Sequence, residues 1–409
     1  MKLILKLGWR NIWRNKRRSL LTLAAISFAT FASIAMRGVQ NGTYNLNIDY
    51  AVNLFTGAIQ IQQDDYQKNP SLRKCFTPDQ SIISTIKSIP EIKAYSERVY
   101  ADGLISRGDK SFGAGIFGIQ PDKEKNVMTL LSRIKQGKFF DSDTSNQIVI
   151  GYKLLDNLKA QIGDTVVILT QGYDGALGNL KFVIGGTVKV GSAEFDAMGV
   201  FMGLKTAQEL LALPNRVHAI AISLNSVEDI KQVKKELSAK INNDKLSILD
   251  WEELMPDFKQ SIEYDNVSGL FFLFILVLIV AFGILNTVLM SITERFREFG
   301  VALAIGMQQK KLLYLVLAET IFITIIGVLA GNIIGWGINN YIVHNPIIIS
   351  SNMGALYEEY GFLPRIESSL QSSIFINTDI SVIIISIIAV LYPLYKVYLL
   401  EPLKGIRYT

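Results

Sequence analysis

Four long apolar runs set the first limit on what this chain can fold into. Crossing a hydrocarbon core of roughly 30 Å takes about 20 helical residues. Four stretches approach or exceed that length: SLLTLAAISFATFASIAM (19–36), GLFFLFILVLIVAFGILNTVLM (269–290), LLYLVLAETIFITIIGVLAGNIIGWGI (312–338) and ISVIIISIIAVLYPLYKVY (380–398). The second carries no charge, and the third carries one acid, Glu319. With 49% hydrophobic and 19% charged residues over 409 positions, the chain is too apolar for an ordinary soluble protein of its size. The expected fold is an α-helical membrane protein with four transmembrane helices and a large α+β extracytoplasmic domain between the first and second.

Orientation follows from the basic residues beside the spans. Lys2, Lys6, Arg10, Arg14, Lys16, Arg17 and Arg18 precede the first run with no acid among them. This places the N-terminus in the cytoplasm, a cleaved signal peptide being the alternative. Four spans then return residues 292–311 and the C-terminal tail to the same side, where Arg295, Arg297, Lys310, Lys311, Lys396, Lys404 and Arg407 agree. The division reads as a basic interfacial helix (1–18), transmembrane helix 1 (19–42), an extracytoplasmic domain (43–266) and transmembrane helix 2 (267–291). A cytoplasmic segment (292–311), transmembrane helix 3 (312–338), an outer loop (339–378), transmembrane helix 4 (379–398) and a cytoplasmic tail (399–409) complete it.

The first segment has its own pattern. Basic residues recur every four positions from Lys2 to Arg18, beside a stripe of Leu5, Trp9 and Trp13. On a helix these form one cationic and one aromatic face, so Trp9, Arg10, Trp13 and Arg14 are read as an anchor on membrane lipids at the inner interface. Within 43–266, strand-like runs recur: AIQIQ, RVYADGLIS, IFGIQ, QIVIG, DTVVILT, KFVIGGTVKV, GVFMGL and AIAISL. Helical patterns such as YKLLDNLKA and SVEDIKQVKKELSAKI lie between them. QGYDGALGN (171–179) reads as an exposed hairpin tip, with Tyr173 and Leu177 available to an outer partner. Both long spans flanking the domain are expected to extend outward, as far as Asn47 and from Pro256, as stalks.

Gly327, Gly331 and Gly335 line one face of the third span, where small residues let another helix approach closely. Glu319 lies roughly 12 Å along a helix from Lys311, in the inner leaflet. A structural ion pair suits it better than a proton relay. Two His, one Cys (Cys75) and no G-x-x-x-x-G-K-[ST] leave no catalytic or metal constellation and no nucleotide cradle. No cofactor is expected in this chain, and nothing suggests nucleic acid. ITERFREFGVALAIG (292–306) combines Glu294, Arg295, Arg297 and Glu298 with Phe296, Phe299 and two glycines. It is too apolar for a plain loop, and a short helix presenting charge and Phe to a partner, broken by glycine, is the expectation.

That segment, followed by LLYLVLAET, resembles the E-R-x-x-E-x-G-x-x-x-A-x-G signature of MacB/FtsX-type ABC transporter permeases. LGWRNIWRNKRRSLLT and YPLYKVYLLEPLKGIRY are similar to the same family's N- and C-terminal motifs. Within the family the likeness is greatest to the lipoprotein-releasing permeases LolC and LolE. The resemblance implies a Porter/Sabre-like periplasmic core and residence in the bacterial inner membrane, with both termini cytoplasmic. It further implies a second permease, as homodimer or LolC/LolE-type heterodimer, and two copies of a separate cytoplasmic ATPase that bind ATP and Mg. Glu294, Arg295, Glu298, Gly300, Ala304 and Gly306 match the motif and, with Arg297 and Phe299, would form the ATPase-coupling helix. Lipoproteins and a periplasmic carrier are further implied partners. Two departures stand out: Leu303 occupies a position where many members carry Arg, and QGYDGALGN is shorter than the LolC hook. MacB-like drug or peptide efflux, FtsX-like signalling, and a membrane-anchored sensor or adhesin remain alternatives.

Overall fold

The computed structural model describes residues 2–191, 193–350, 352–359 and 363–399. The tail motif with Pro402, Leu403, Lys404 and Arg407 lies outside them. The chain opens with α1 (Lys2–Arg14) and α2 (Lys16–Ala51). Next come β1 (Ile59–Gln63), α3 (Gln80–Lys87), β2 (Ile92–Arg107), β3 (Lys110–Ile119), α4 (Pro121–Val127), β4 (Ile134–Gly137), β5 (Gln147–Gly151) and α5 (Tyr152–Leu158). They are followed by β6 (Thr165–Gln171), β7 (Leu177–Val188), α6 (Ala193–Met198), β8 (Gly199–Gly203), α7 (Leu204–Leu210), β9 (Ala219–Leu224), α8 (Ile230–Lys240), β10 (Leu246–Asp250) and α9 (Trp251–Leu254). The last part holds α10 (Pro256–Glu294), α11 (Phe296–Ala304), α12 (Gln309–His344), β11 (Ile347–Ile348), α13 (Asn352–Glu359), β12 (Arg365–Ile366) and α14 (Ser372–Tyr398). Two compact units result, Asn45–Gln260 with Ile349–Pro364, and Met1–Tyr44 with Ser261–Ile348 and Arg365–Thr409.

The first of these units is built on one mixed ten-stranded sheet. Its ladder closes on itself: β2 pairs with β3, β3 with β8, β8 with β5, β5 with β7, β7 with β6, and β6 returns to β2. The length of β2 makes this possible, because its first half also pairs with β9, which leads to β1 and β10. Strand side chains alternate between faces. Ile148 and Ile150, Val200 and Met202 enter one core with Val166, Ile168, Phe182 and Ile184, whereas Val149 and Phe201 enter a second with Phe140 and Val188. All eight strand-like runs of the sequence are strands here. β4 and β10 were not foreseen, being short and weakly alternating. Local chemistry starts the helices: the Asp79 side chain accepts from the Ile82 amide ahead of α3, and Asp250 with Glu253 forms a capping box on α9.

Arg98 on β2 and Glu124 on α4 are fully buried and bonded at 2.5 Å, tying that helix to the sheet. His218 is also fully buried. Its Nδ1 accepts from the Tyr100 amide at 3.1 Å, which leaves the proton on Nε2, 3.2 Å from the Leu72 carbonyl. Burial pushes this imidazole down to about 4, against a small upward pull from the Leu72 carbonyl. At pH 7 the ring is neutral folded or unfolded. As pH falls below the unfolded value of about 6.5, only the unfolded state gains the proton. The unit is therefore expected to lose up to about 3 kcal/mol between pH 6.5 and 4. Protection factors of the β2 and β9 amides in the full chain, which divide out the intrinsic slowing of exchange in acid, should fall over that interval, and constant protection factors would contradict the assignment.

Helices long and apolar enough to cross a membrane occupy the stretches Lys16–Leu54, Pro256–Glu294, Gln309–His344 and Ser372–Tyr398, most of whose residues belong to the second unit. α2 and α10 run antiparallel: Arg18 donates to Ser291 at 2.9 Å, Thr22 to Thr287 at 2.9 Å, and Gln40 to the Asp265 carbonyl at 2.9 Å. α2 and α12 run parallel. A Cβ added at Gly327 would lie 2.7 Å from Ile26, one at Gly331 2.6 Å from Thr30, and one at Gly335 2.8 Å from Ile34. The ridge Ile26, Thr30, Ile34 thus fills the glycine groove of α12 in the four-residue register of both helices. Asn339, one turn further, donates to the Ile34 carbonyl at 3.0 Å and lies against Gly38, where the small residue has changed sides.

Candidate functional site

The charged segment resolves into the end of α10, a turn at Arg295 and the nine-residue α11. The break falls at Arg295 (φ −104°, ψ 9°) and not at Gly300, which lies inside the helix. Gly306, at φ 98°, does end the segment. Only glycine takes that backbone region without strain.

Three residues expected to face a partner turn inward instead: Arg295, Phe299 and Gly300. Phe299 is 3% exposed and packs with Ile292, Leu312, Leu315 and Val316, under the Arg295 guanidinium 4.9 Å from its ring. Arg295 itself is buried, because Glu319 holds it by bonds of 2.8 and 3.1 Å to Nη1. A lone acid and a lone cation among apolar helices each lower the other's cost of burial. Leu303, in the position where many members of the resembled family carry Arg, packs against the same apolar cluster. The outward face of α11 is left to Arg297, Glu298, Val301 and Ala304, continued by Ile305 and Gly306.

A network of bonds straps α1 and the start of α2 onto this segment. Arg14 bonds Glu298 at 3.0 Å, Arg18 bonds Glu294 at 2.7 Å, and Arg295 bonds Glu298 at 3.3 Å. Asn11 donates to Glu319 at 2.6 Å. Burial raises the proton affinity of Glu298, but Arg14 and Arg295 outweigh it, so the carboxyl sits below its usual range and stays ionised. Gly8 of α1 packs against Ala318 and the Glu319 amide. Trp9 and Trp13 stay exposed on the flank of α1, edge to face at 6.2 Å, with Trp9 also meeting Phe322 at 5.8 Å. Arg10 is exposed beside them.

Gly8 and Asn11 were missed by reading only two stripes on α1. The signal was present: Ile4, Gly8, Asn11, Ile12 and Asn15 form a third face with no basic residue, and it is this face that packs. Asn332 and Asp379, bonded at 2.7 Å between α12 and α14, were also missed, since each looks unremarkable without its partner. The glycine face and Glu319 lie on the same helix, but only Glu319 joins the network. Tyr173 and Leu177 belong to the sheet unit. Tyr173 is tied down by Arg216 at 4.6 Å over its ring and by the Leu211 carbonyl, whereas Leu177 projects freely, 72% exposed.

Removing the carboxylate at Glu319 would leave Arg295 with Glu298 alone and Asn11 without its acceptor. Glu319→Leu is expected to cost about 2–3 kcal/mol, and trypsin should then cut sooner at Arg10 and Arg14 as α1 loosens. Glu319→Gln, which still accepts from Asn11, should lose less. Unchanged cleavage in both variants would mean that the network does not hold α1.

Comparison with known proteins adds a family assignment. The model of a MacB-like periplasmic core domain matches residues 19–240, and that of an FtsX-like permease C-terminal region matches residues 270–402. An uncharacterised ABC transporter permease of Methanocaldococcus jannaschii is 22% identical over 99% of this chain and 97% of its own length. The lipoprotein-releasing system transmembrane protein LolC of Xylella fastidiosa is 21% identical, covering 80% of this chain and 81% of its own. The macrolide export ATP-binding/permease protein MacB of Aggregatibacter actinomycetemcomitans is 24% identical over 78% of this chain, which spans 50% of that longer protein. Among solved structures, the periplasmic region of MacB from Actinobacillus actinomycetemcomitans matches 53% of this chain and 97% of its own, at 16% identity and a TM-score of 0.37.

Proposed function

Since the chain belongs to the MacB/FtsX family of ABC transporter permeases, we propose that it is the membrane subunit through which a separate cytoplasmic ATPase moves an extracytoplasmic domain. In this reading α1 and α11 lie on the cytoplasmic side, the sheet unit lies outside, and two permeases assemble with two ATPase copies that supply ATP and Mg. The work done outside is release of lipoproteins from the membrane. Similarity to the macrolide export protein MacB favours a second reading, export of a small molecule such as a drug or peptide, on the same mechanics.

The observation that carries the proposal is the construction of α11. Its inner face is fixed by Phe299 and the Arg295–Glu319 pair, while its outer face leaves Val301 exposed, and Ile305 is exposed just past its end. An exposed apolar pair on a rigid, ion-paired helix is suited to receive a partner and to pass its displacement into α10 and α12 without yielding. Purification of the tagged full chain from its own membranes tests this. Recovery of an ATP-hydrolysing subunit at one copy per chain is expected, and a chain recovered intact with no ATPase activity would sink the proposal. Lipoprotein release from spheroplasts lacking the chain, against export of added macrolide, separates the two substrates.

A further inference from the structure

A pocket of about 320 Å³ lies among α2, α10 and α14, at the end of the span bundle remote from α1 and α11. Arg37 and Asn41 line it from α2, Leu270 and Leu273 from α10, and Asn377 and Ser381 from α14. Leu270, Leu273 and Ile374 make part of the lining apolar, and the rest offers amide and hydroxyl groups around a guanidinium. Arg37 donates through Nη1 to Gln40 at 2.9 Å and Asn266 at 2.7 Å, both neutral. Among the described residues no carboxylate pairs with it. The nearby acid, Asp265, is engaged by Gln40 and the Tyr44 hydroxyl.

The depth of the pocket is set by the helix that carries it. From Arg18 to Arg37 α2 is continuous and rises roughly 28 Å at 1.5 Å per residue, close to a hydrocarbon core of roughly 30 Å. In a permease whose basic α1 lies at one interface, Arg37 therefore lies at the other, where lipid phosphates are. An arginine there, without a carboxylate, pairs well with a phosphate group.

We propose that this pocket holds an anionic glycerophospholipid of the phosphatidylglycerol type. Its phosphate sits on Arg37, its headgroup hydroxyls on Asn41, Asn377 and Ser381, and an acyl chain follows Leu270 and Leu273 toward the bilayer. The site joins three helices with no residue of α11 or α12, and it does not depend on whether the transported cargo is a lipoprotein. A resident lipid there would hold α14 against α2 and α10.

The test uses the full chain in nanodiscs of equal phosphatidylglycerol and phosphatidylcholine, with retained lipid identified by native mass spectrometry. The wild type should retain phosphatidylglycerol in preference. Arg37→Gln should lower that retention about fivefold or more, equivalent to about 1 kcal/mol, and Arg37→Lys should keep part of it. Ser381→Phe, which leaves the cation in place and fills the pocket, should lower retention as far as Arg37→Gln. Equal retention in wild type and both blocking variants would overturn the proposal. So would displacement of the lipid by excess inorganic phosphate, which would mark a site for free anions.

Discussion

Gly331→Leu is expected to drive α2 and α12 apart and to leave little folded permease in detergent. Even the first atom added, a Cβ, would stand 2.6 Å from Thr30 Cβ and 2.7 Å from the Ser27 carbonyl. A flexible side chain could move aside, but a helix carbonyl in the i to i+4 ladder cannot. The whole helix must shift, and the Ile26–Gly327 and Ile34–Gly335 contacts shift with it. Overpacking of this kind costs about 3 kcal/mol, at the upper end of its usual range. The same helix supplies the control. Gly337 has nothing within 4 Å of an added Cβ, so Gly337→Ala should leave the stability within about 0.5 kcal/mol of wild type. If both variants unfold alike, the damage is general to the span; if neither does, the groove is not the packing face.

Ile305→Asp is expected to strip the ATPase from the complex while leaving the permease fold untouched. Ile305 is 83% exposed, just beyond the last turn of α11, and Val301 one turn before it is 42% exposed. Burying such residues against a partner is the kind of contact whose loss costs 2 kcal/mol or more, about a thirtyfold fall in association. A carboxylate in place of Ile305 adds desolvation to the loss. Recovered ATPase should fall at least about tenfold, with an unchanged thermal midpoint. Glu298→Arg should look different, because Glu298 is bonded to Arg14 and Arg295 within the chain. Its reversal should loosen α1 and lower the midpoint as well as the capture. Normal ATPase recovery with Ile305→Asp would place the contact elsewhere on the protein.

The two variants also separate what the residues announced from what they withheld. The glycine series was legible as a close-packing face because its spacing equals the helix repeat. Its partner was not, because Ile26, Thr30 and Ile34 look like any residues of a span until the two helices are set in parallel. Likewise the segment around Glu298 was legible as unusual, being charged and apolar at once. Which of its residues face a partner was inverted at Phe299 and Arg295. Composition counts those groups, but only the mostly buried Glu319 on α12 decides that Arg295 turns inward and covers Phe299.

By itself the sequence determined the four apolar helices, the domain with eight of its ten main strands, the basic α1 and the family motif. These depend on periodicity and length, which act within one segment. Only the tertiary structure decided that β2 closes the sheet into a ring, that α1 has a third face against α12, and that Arg37 looks into a pocket. Each of those joins residues distant in the chain, and their pairing is set by which partner removes a buried charge or fills a groove. That is a property of two surfaces together and is written in neither one alone.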